Sequence, residues 1–158
     1  MRYVHFDKPR AKHRFTVFYR FTPRFQAGVE YNAGAGEIAP IANWVLNPES
    51  DKYPMVNFNV SSDRLGTPKG PMGYGLTFAK GFPKYRIAPY VTIRYSEFEH
   101  GFNFPFGANI QLSKEWNLQP MNDGRKSHLL LTYLQPDHSI SLMLIWMKHP
   151  GISYSWGF

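Results

Sequence analysis

The last eight residues constrain the fold most strongly, because they alternate strictly between large apolar and small side chains. Ile152, Tyr154 and Trp156 share one face of an extended chain with the terminal Phe158. Serine and glycine occupy the positions between them. Successive side chains of a β-strand point to opposite sides, so this segment predicts a strand with one aromatic face and one face without bulk.

The same alternation recurs along most of the chain. Residues 14–22 and 25–32 form the clearest hairpin, with aromatic residues on one face and mainly polar residues on the other. The short turn between them keeps the two faces consistent. No segment shows a helical period. Further strands are predicted at residues 38–46, 56–61, 72–79, 87–96, 102–113, 129–133, 140–146 and 151–158.

The polar faces of these strands indicate an enclosed interior. They carry Gly, Ser, Thr, Asn and Gln repeatedly, and Lys or Glu rarely. Inside a narrow enclosure charges must be paired and bulk does not fit. Many of the strands are also close to the roughly 9–11 residues needed to cross a bilayer at a tilt. We therefore predict an all-β fold, an antiparallel up-and-down transmembrane β-barrel of about 8–10 strands, formed by residues 13–158.

Two segments are predicted to lie outside the barrel wall. Residues 1–12 are basic and irregular and are expected to form an N-terminal tail or loop, although residues 3–6 have the composition of a further strand. Residues 114–127 are expected to form a long loop. With both termini on the periplasmic side, ten strands place the short turn at residues 22–24 outside. Either residues 3–6 are then a strand and residues 38–46 are not, or a partner chain or another copy completes the barrel.

Composition excludes several classes of site. Charged residues are 18% of the chain and aromatic residues 17%, whereas soluble domains carry roughly 25% charged residues. The absence of cysteine excludes disulfides, thiolate metal sites and a cysteine nucleophile. No run of 18 apolar residues exists, so no transmembrane helix is expected. The net charge of +7 favours anionic partners such as polysaccharide or lipopolysaccharide phosphates. Nucleic acid ranks below these, because binding it leaves the aromatic faces uncovered.

Three charged residues fall on the predicted inner face of the barrel. Arg20, Glu30 and Arg94 each need a partner there, so we expect them to belong to a polar network that fills the lumen. Glu97, Glu99 and His100 lie near a turn and indicate a solvated loop in preference to a metal site. No Gly-x-Ser-x-Gly motif or other nucleophile arrangement is present. We therefore expect no enzyme activity, no cofactor and no metal.

The aromatic C-terminal strand resembles the final strand of Gram-negative outer-membrane β-barrel proteins, which ends in Phe after alternating aromatic residues. The resemblance implies that Tyr154, Trp156 and Phe158 face lipid and form the signal that the barrel-assembly machinery reads. It also implies a location in the outer membrane of a Gram-negative bacterium. Residues 1–7 contain no apolar core of a signal peptide, so we expect the chain to be a mature form or a piece of a longer one.

A narrower resemblance covers roughly residues 14–80. The segments at residues 14–31, 54–63, 66–67 and 74–80 resemble parts of the YjbH-like barrels, which are outer-membrane proteins linked to exopolysaccharide production. Those proteins are much longer than this chain. The resemblance implies a role linked to polysaccharide and brings no catalytic residues with it.

The leading functional expectation is a non-enzymatic outer-membrane barrel with a largely filled lumen, acting as a structural or export-accessory component. The first alternative is a soluble barrel that binds a fatty acid or another small lipid. The missing signal peptide and the positive charge favour this alternative. The second alternative, ranked third of the three functions, is a porin-like channel. Lipid is the expected partner in the leading reading, with lipopolysaccharide or polysaccharide at the barrel ends.

Overall fold

The structure, a computed structural model that describes residues 1–157, is a closed barrel of twelve antiparallel strands with one short extra strand. Neighbours in sequence pair around the barrel, and the first strand closes it against the last. The predicted all-β, antiparallel up-and-down barrel is confirmed. Its strands are β1 Arg2–Val4, β2 His13–Thr22, β3 Phe25–Asn32, β4 Glu37–Asn47, β5 Met55–Ser62, β6 Met72–Ala79, β7 Ile87–Ser96, β8 Gly101–Asn103, β9 Phe106–Gln111, β10 Trp116–Asn122, β11 Ser127–Leu134, β12 His138–Ile145 and β13 His149–Trp156.

The helical segments are confined to connections. One turn of α-helix, α1, spans Pro9–Lys12, and 3-10 turns span Ala33–Ala35 and Pro83–Tyr85. Among residues 1–157, none of these helices has the length or the apolar character needed to cross a membrane.

The extra strand β8 continues the line of β9. Asn103 lies opposite Arg94 and Phe106 lies opposite Val91, so both segments follow one register on β7. Pro105 separates them because it has no N–H to donate. Its carbonyl still accepts a hydrogen bond from the backbone N–H of Thr92 at 2.7 Å. The predicted strand at residues 102–113 is therefore one line of the wall, interrupted at a proline.

The predicted number of 8–10 strands is too low, because both segments assigned outside the wall contribute a strand. The N-terminal tail contains β1, which pairs with β13 and β2. The loop at residues 114–127 contains β10, which pairs with β9 and β11. Its Asn-rich and Gln-rich sequence and Pro120 are typical of a loop. Pro120 interrupts the ladder with β9, which resumes where Met121 lies opposite Gly107.

With β1 and β10 included in the wall, the short turn at residues 22–24 falls at the same end as both described chain ends. Met1, Gly157 and the turn at residues 22–24 lie at one end, called here the open end. Residues 38–46 also form a strand, within β4. The expectation that they are not a strand when residues 3–6 form one is therefore wrong. The opposite end, called here the plugged end, carries the connections at residues 5–12, 33–36, 63–71, 97–100, 123–126 and 146–148.

The two faces of the wall have the predicted polarity. Val17 and Tyr19 are each 68% exposed on the outer face, and large apolar side chains are exposed on most strands. Apart from two glycines, the buried residues in the described part of the chain are twelve polar or charged ones and only six apolar ones. Four of the apolar ones form a small cluster inside the plugged end, Val4, Phe6, Met143 and Ile145. The barrel is therefore apolar outside and polar inside.

Candidate functional site

The inner face of the plugged end carries a network of buried charges, and Glu30 lies at its centre. The Glu30 side chain is fully buried. Arg14, on the neighbouring strand β2, forms an ion pair with it. The hydroxyl of Ser62 donates to the same carboxylate, and the Asn32 amide lies 3.5 Å from it. These donors give the buried Glu30 carboxylate a partner in the lumen, as the inner-face prediction requires.

A second pair joins Arg94 on β7 to Asp63, which directly follows β5, two strands away in the wall. Arg94 Nε lies 4.0 Å from Asp63 Oδ1, and the Arg94 guanidinium also donates to the backbone carbonyl of Ser62 at 3.2 Å. Ser96 donates its hydroxyl to Asp63. A Cβ at Gly73 would lie 2.1 Å from Arg94 Nη2, so the small residues of β6 leave the space that the guanidinium occupies.

The third pair comes from the segment predicted as a tail. Helix α1 places Arg10 inside the barrel, where its Nε donates to Glu37 Oε2 at 2.7 Å. Asn32 and the backbone N–H of Gly70 donate to the same carboxylate at 2.8 and 2.7 Å. Arg10 also contacts Thr67 in the β5–β6 connection. Strand β1 is therefore part of the barrel wall, and Arg10 is part of its polar interior.

Two acidic residues in the loops complete the plugged end. Glu99 pairs with Arg64 and with Arg125, whose Nη2 lies 3.2 Å from Glu99 Oε2. Burial opposes ionisation of Glu99, but hydrogen bonds from these two arginines outweigh it and hold the pKa of Glu99 below its ordinary value. Asp123 accepts a hydrogen bond from His128 Nε2 at 3.0 Å. Burial likewise opposes ionisation of Asp123, and the bonds from His128 and two backbone N–H groups hold its pKa low.

Between these pairs lies a cavity of about 260 Å³. Five arginine side chains line it, and each retains one buried nitrogen without a hydrogen-bond partner in the described part of the chain. A polar cavity of this size has room for several ordered water molecules, which would bond to these nitrogens. The five are Arg2, Arg10, Arg14, Arg64 and Arg94.

The open half of the lumen is different. It holds a cavity of about 1190 Å³, lined by Arg20, Thr16, Phe18 and Gln26 among others. Arg20 points inward as predicted, but it is exposed and has no ion pair within residues 1–157. Its neighbour across the β2–β3 ladder is Gln26, not a carboxylate. The structure therefore joins Glu30 and Arg94 to the buried network and leaves Arg20 outside it.

The final strand has the predicted faces. Tyr154 and Trp156 lie on the outer surface, 47% and 63% exposed, while Ser153 and Ser155 line the cavity of the open half. Phe158 lies outside the described residues. The assembly signal assigned to these three aromatic residues stays a prediction.

No family model, curated protein or solved structure matches the chain. The likeness to outer-membrane barrels and to YjbH-like barrels therefore rests on the sequence patterns alone. Within residues 1–157, no three or more His, Cys, Asp or Glu side chains are placed together to hold a metal ion. The site consists of paired charges and hydrogen bonds, gathered at one end of the lumen.

The low pKa values of Glu99 and Asp123 predict that acid weakens the plugged end. Both groups stabilise the fold fully above their ordinary pKa, near 4, and lose this contribution as the pH falls through their lower folded pKa. We expect Asp123→Asn to lower the thermal unfolding midpoint at pH 7 and to have little effect near pH 2. Asp51→Asn, at the open end, is the matched control and should change neither. Equal effects of Asp123→Asn at both pH values would contradict the prediction.

Proposed function

We propose that the chain is a non-enzymatic outer-membrane β-barrel of a Gram-negative bacterium, a structural or export-accessory component linked to polysaccharide, with a lumen closed at one end. The single observation that carries the proposal is the inverted distribution of polarity. Most exposed side chains of the wall are large and apolar, and most buried ones are polar or charged. A soluble barrel that binds a fatty acid needs the opposite arrangement, with apolar residues inside and a polar outer face.

The physical chemistry of a bilayer accounts for this arrangement. Lipid offers no partners to backbone N–H and C=O groups, so only helices and closed barrels span it. Lipid contact also removes the exposed aromatic and aliphatic side chains from water, at about 25 cal/mol for each Å² of apolar surface. Trp44, Val17 and Leu142 are each more than half exposed on the wall, and each would gain from such contact.

The charge of the plugged end supports an anionic partner there. With both described chain ends periplasmic, as in bacterial outer-membrane barrels, the plugged end faces outward. Its connections expose six cationic side chains and one acidic one, Asp7. A surface of this sign attracts the phosphates of lipopolysaccharide or an acidic polysaccharide. The six are Lys8, Lys12, Lys69, Arg125, Lys126 and Lys148.

The final strand is proposed as the segment that the barrel-assembly machinery reads. Deletion of Phe158 is expected to lower the amount of protein assembled in the outer membrane several-fold and to leave the thermal stability of the refolded protein nearly unchanged. The comparison measures membrane yield against the unfolding midpoint in detergent. Equal yields of the full-length and the shortened chain would contradict the signal.

Conductance in a planar bilayer, paired with fatty-acid uptake in buffer, tests the proposed function. We expect a closed or barely conducting barrel, because the ion pairs of the plugged end block the bore, and no uptake of a fluorescent fatty acid in plain buffer. Large, steady conductance would favour the porin-like channel, whose support is the cavity of about 1190 Å³ in the open half. Tight fatty-acid binding without detergent would favour the soluble ligand-binding barrel.

A further inference from the structure

The barrel wall is incomplete between β2 and β13 at the open end. Strand β1 lies between them but spans only three residues, and its last pair with β2 at this end joins Arg2 and Arg14. Met1 exchanges two further backbone hydrogen bonds with Tyr154 of β13, at 2.7 and 2.8 Å. Beyond Arg14, no described residue pairs with this edge of β2, which runs on for eight residues, 15–22.

The large cavity of the open half reaches this gap. Its lining includes inward residues of both strands, such as Phe18 on β2 and Ser155 on β13. It also includes Tyr19, Tyr154 and Trp156, whose side chains lie on the outer face. Because residues of both faces line one space of about 1190 Å³, the cavity passes between the two strands to the outside of the wall.

The groups exposed along this gap are backbone groups. Alternate residues of a strand direct N–H and C=O toward a given neighbour, so roughly four of the eight residues present both groups to the gap. A bilayer supplies no partner for them, and open sheet edges do not occur in its hydrocarbon region. Neither an acyl chain nor an aromatic side chain can donate and accept in this alternating pattern. An additional β-strand can.

We propose that the gap accepts a β-strand from a partner polypeptide, which pairs with residues 16–22 of β2 and continues the line of β1. This inference rests on the proposed function, because a bilayer makes the unpaired edge most unfavourable. The added strand would extend an interface already present, the ladders of β1 with β2 and β13. It would complete the wall as strand addition does at other sheet edges.

The existing register specifies the chemistry of this strand. Arg2 faces Arg14 and Tyr3 faces His13, so Met1 takes the place opposite Phe15 in this register. An incoming segment parallel to β1 then lies opposite residues 16–22, with its first residue opposite Thr22. Residues opposite Val17, Tyr19 and Phe21 point outward and should be apolar. The residue opposite Phe18 points into the lumen and should be small. The residue opposite Arg20 also points inward, and an acidic side chain there would give Arg20 the partner it lacks within residues 1–157.

The test uses a synthetic peptide, Thr-Val-Glu-Leu-Gly-Val-Thr with blocked ends, which places its Glu opposite Arg20. The full chain, refolded in detergent micelles, is incubated with the peptide. Hydrogen exchange is then measured at those amides of residues 16–22 that point toward the gap and are not bonded to β3. We expect these amides to exchange freely in the protein alone and at least ten-fold more slowly with peptide. A peptide of the same composition with its two faces interchanged, Val-Thr-Leu-Glu-Val-Gly-Thr, should protect them much less.

A charge exchange tests the register. Arg20→Glu should weaken protection by the Glu peptide, and a peptide with Lys in place of Glu should restore it. Arg24→Glu, in the exposed turn at the same end, is the matched control and should change neither.

Four results would overturn the proposal. One is protection of the edge amides in the protein alone, and another is exchange that neither peptide slows. Protection that depends on protein concentration would identify a second copy as the occupant, and protection by added lipid alone would identify an amphiphile. The membrane assignment is tested separately, by whether the protein stays folded and monodisperse in buffer without detergent. A protein that does so and still accepts the strand would refute the membrane assignment and leave this inference standing.

Discussion

Leu142→Arg is expected to destabilise the folded barrel in lipid vesicles by about 2–4 kcal/mol, the cost of an arginine on the lipid face near the bilayer midplane. Leu142 lies in the middle of β12 on the outer face and is 55% exposed. In a soluble protein the same change at an exposed position would stay within about 0.5 kcal/mol. Urea unfolding of the protein refolded in vesicles measures the difference.

The matched control for this substitution is Tyr53→Arg. Tyr53 is 64% exposed in the β4–β5 connection, outside the wall, and its replacement should change the stability little. A small effect at both positions would mean that Leu142 faces water.

Glu30→Gln is expected to destabilise the barrel by about 3–5 kcal/mol, because it leaves Arg14 charged, largely buried and without its carboxylate. Glutamine has nearly the same shape, so the loss reports charge and hydrogen bonding and not packing. The double variant with Arg14→Gln should be more stable than the sum of the two single losses predicts, since it removes both charges together.

Glu49→Gln is the control for Glu30. Glu49 pairs with Lys80 at 3.7 Å at the open end, and its side chain is 42% exposed. An exposed pair of this kind contributes about 0–1 kcal/mol. If the two glutamates gave equal losses, the buried network would not be what stabilises the plugged end.

The faces of the strands could be predicted from the sequence because a strand has a period of two residues. Val17, Tyr19 and Phe21 alternate with mainly polar positions, and a shift of one residue would exchange the two faces completely. Glu30 and Arg94 could be placed in the lumen for the same reason. Neither inference requires knowledge of which strands pair.

The remaining parts of the site depend on contacts between residues far apart in sequence. Arg10 reaches Glu37 only because α1 folds into the barrel, and Asp63 reaches Arg94 from a connection without alternation. Strand β1 is too short to show an alternation of side chains. Strand β10 contains Pro120, a residue that indicates a loop in a sequence. For Arg20 the inward direction of the side chain could be predicted from the alternation. The lack of a carboxylate on the neighbouring strand, where Gln26 lies opposite, could not.

The most direct test of the central claim compares two adjacent positions of β13 in the protein refolded in vesicles. The chain has no cysteine, so Ile152→Cys and Ser153→Cys each accept one nitroxide label. The account predicts that the label at 152 is relaxed strongly by oxygen, which concentrates in lipid, and weakly by a water-soluble nickel complex. The label at 153, which lines the open cavity, should show the reverse. Strong relaxation by the nickel complex at 152 would show that the apolar face meets water and would contradict the membrane barrel.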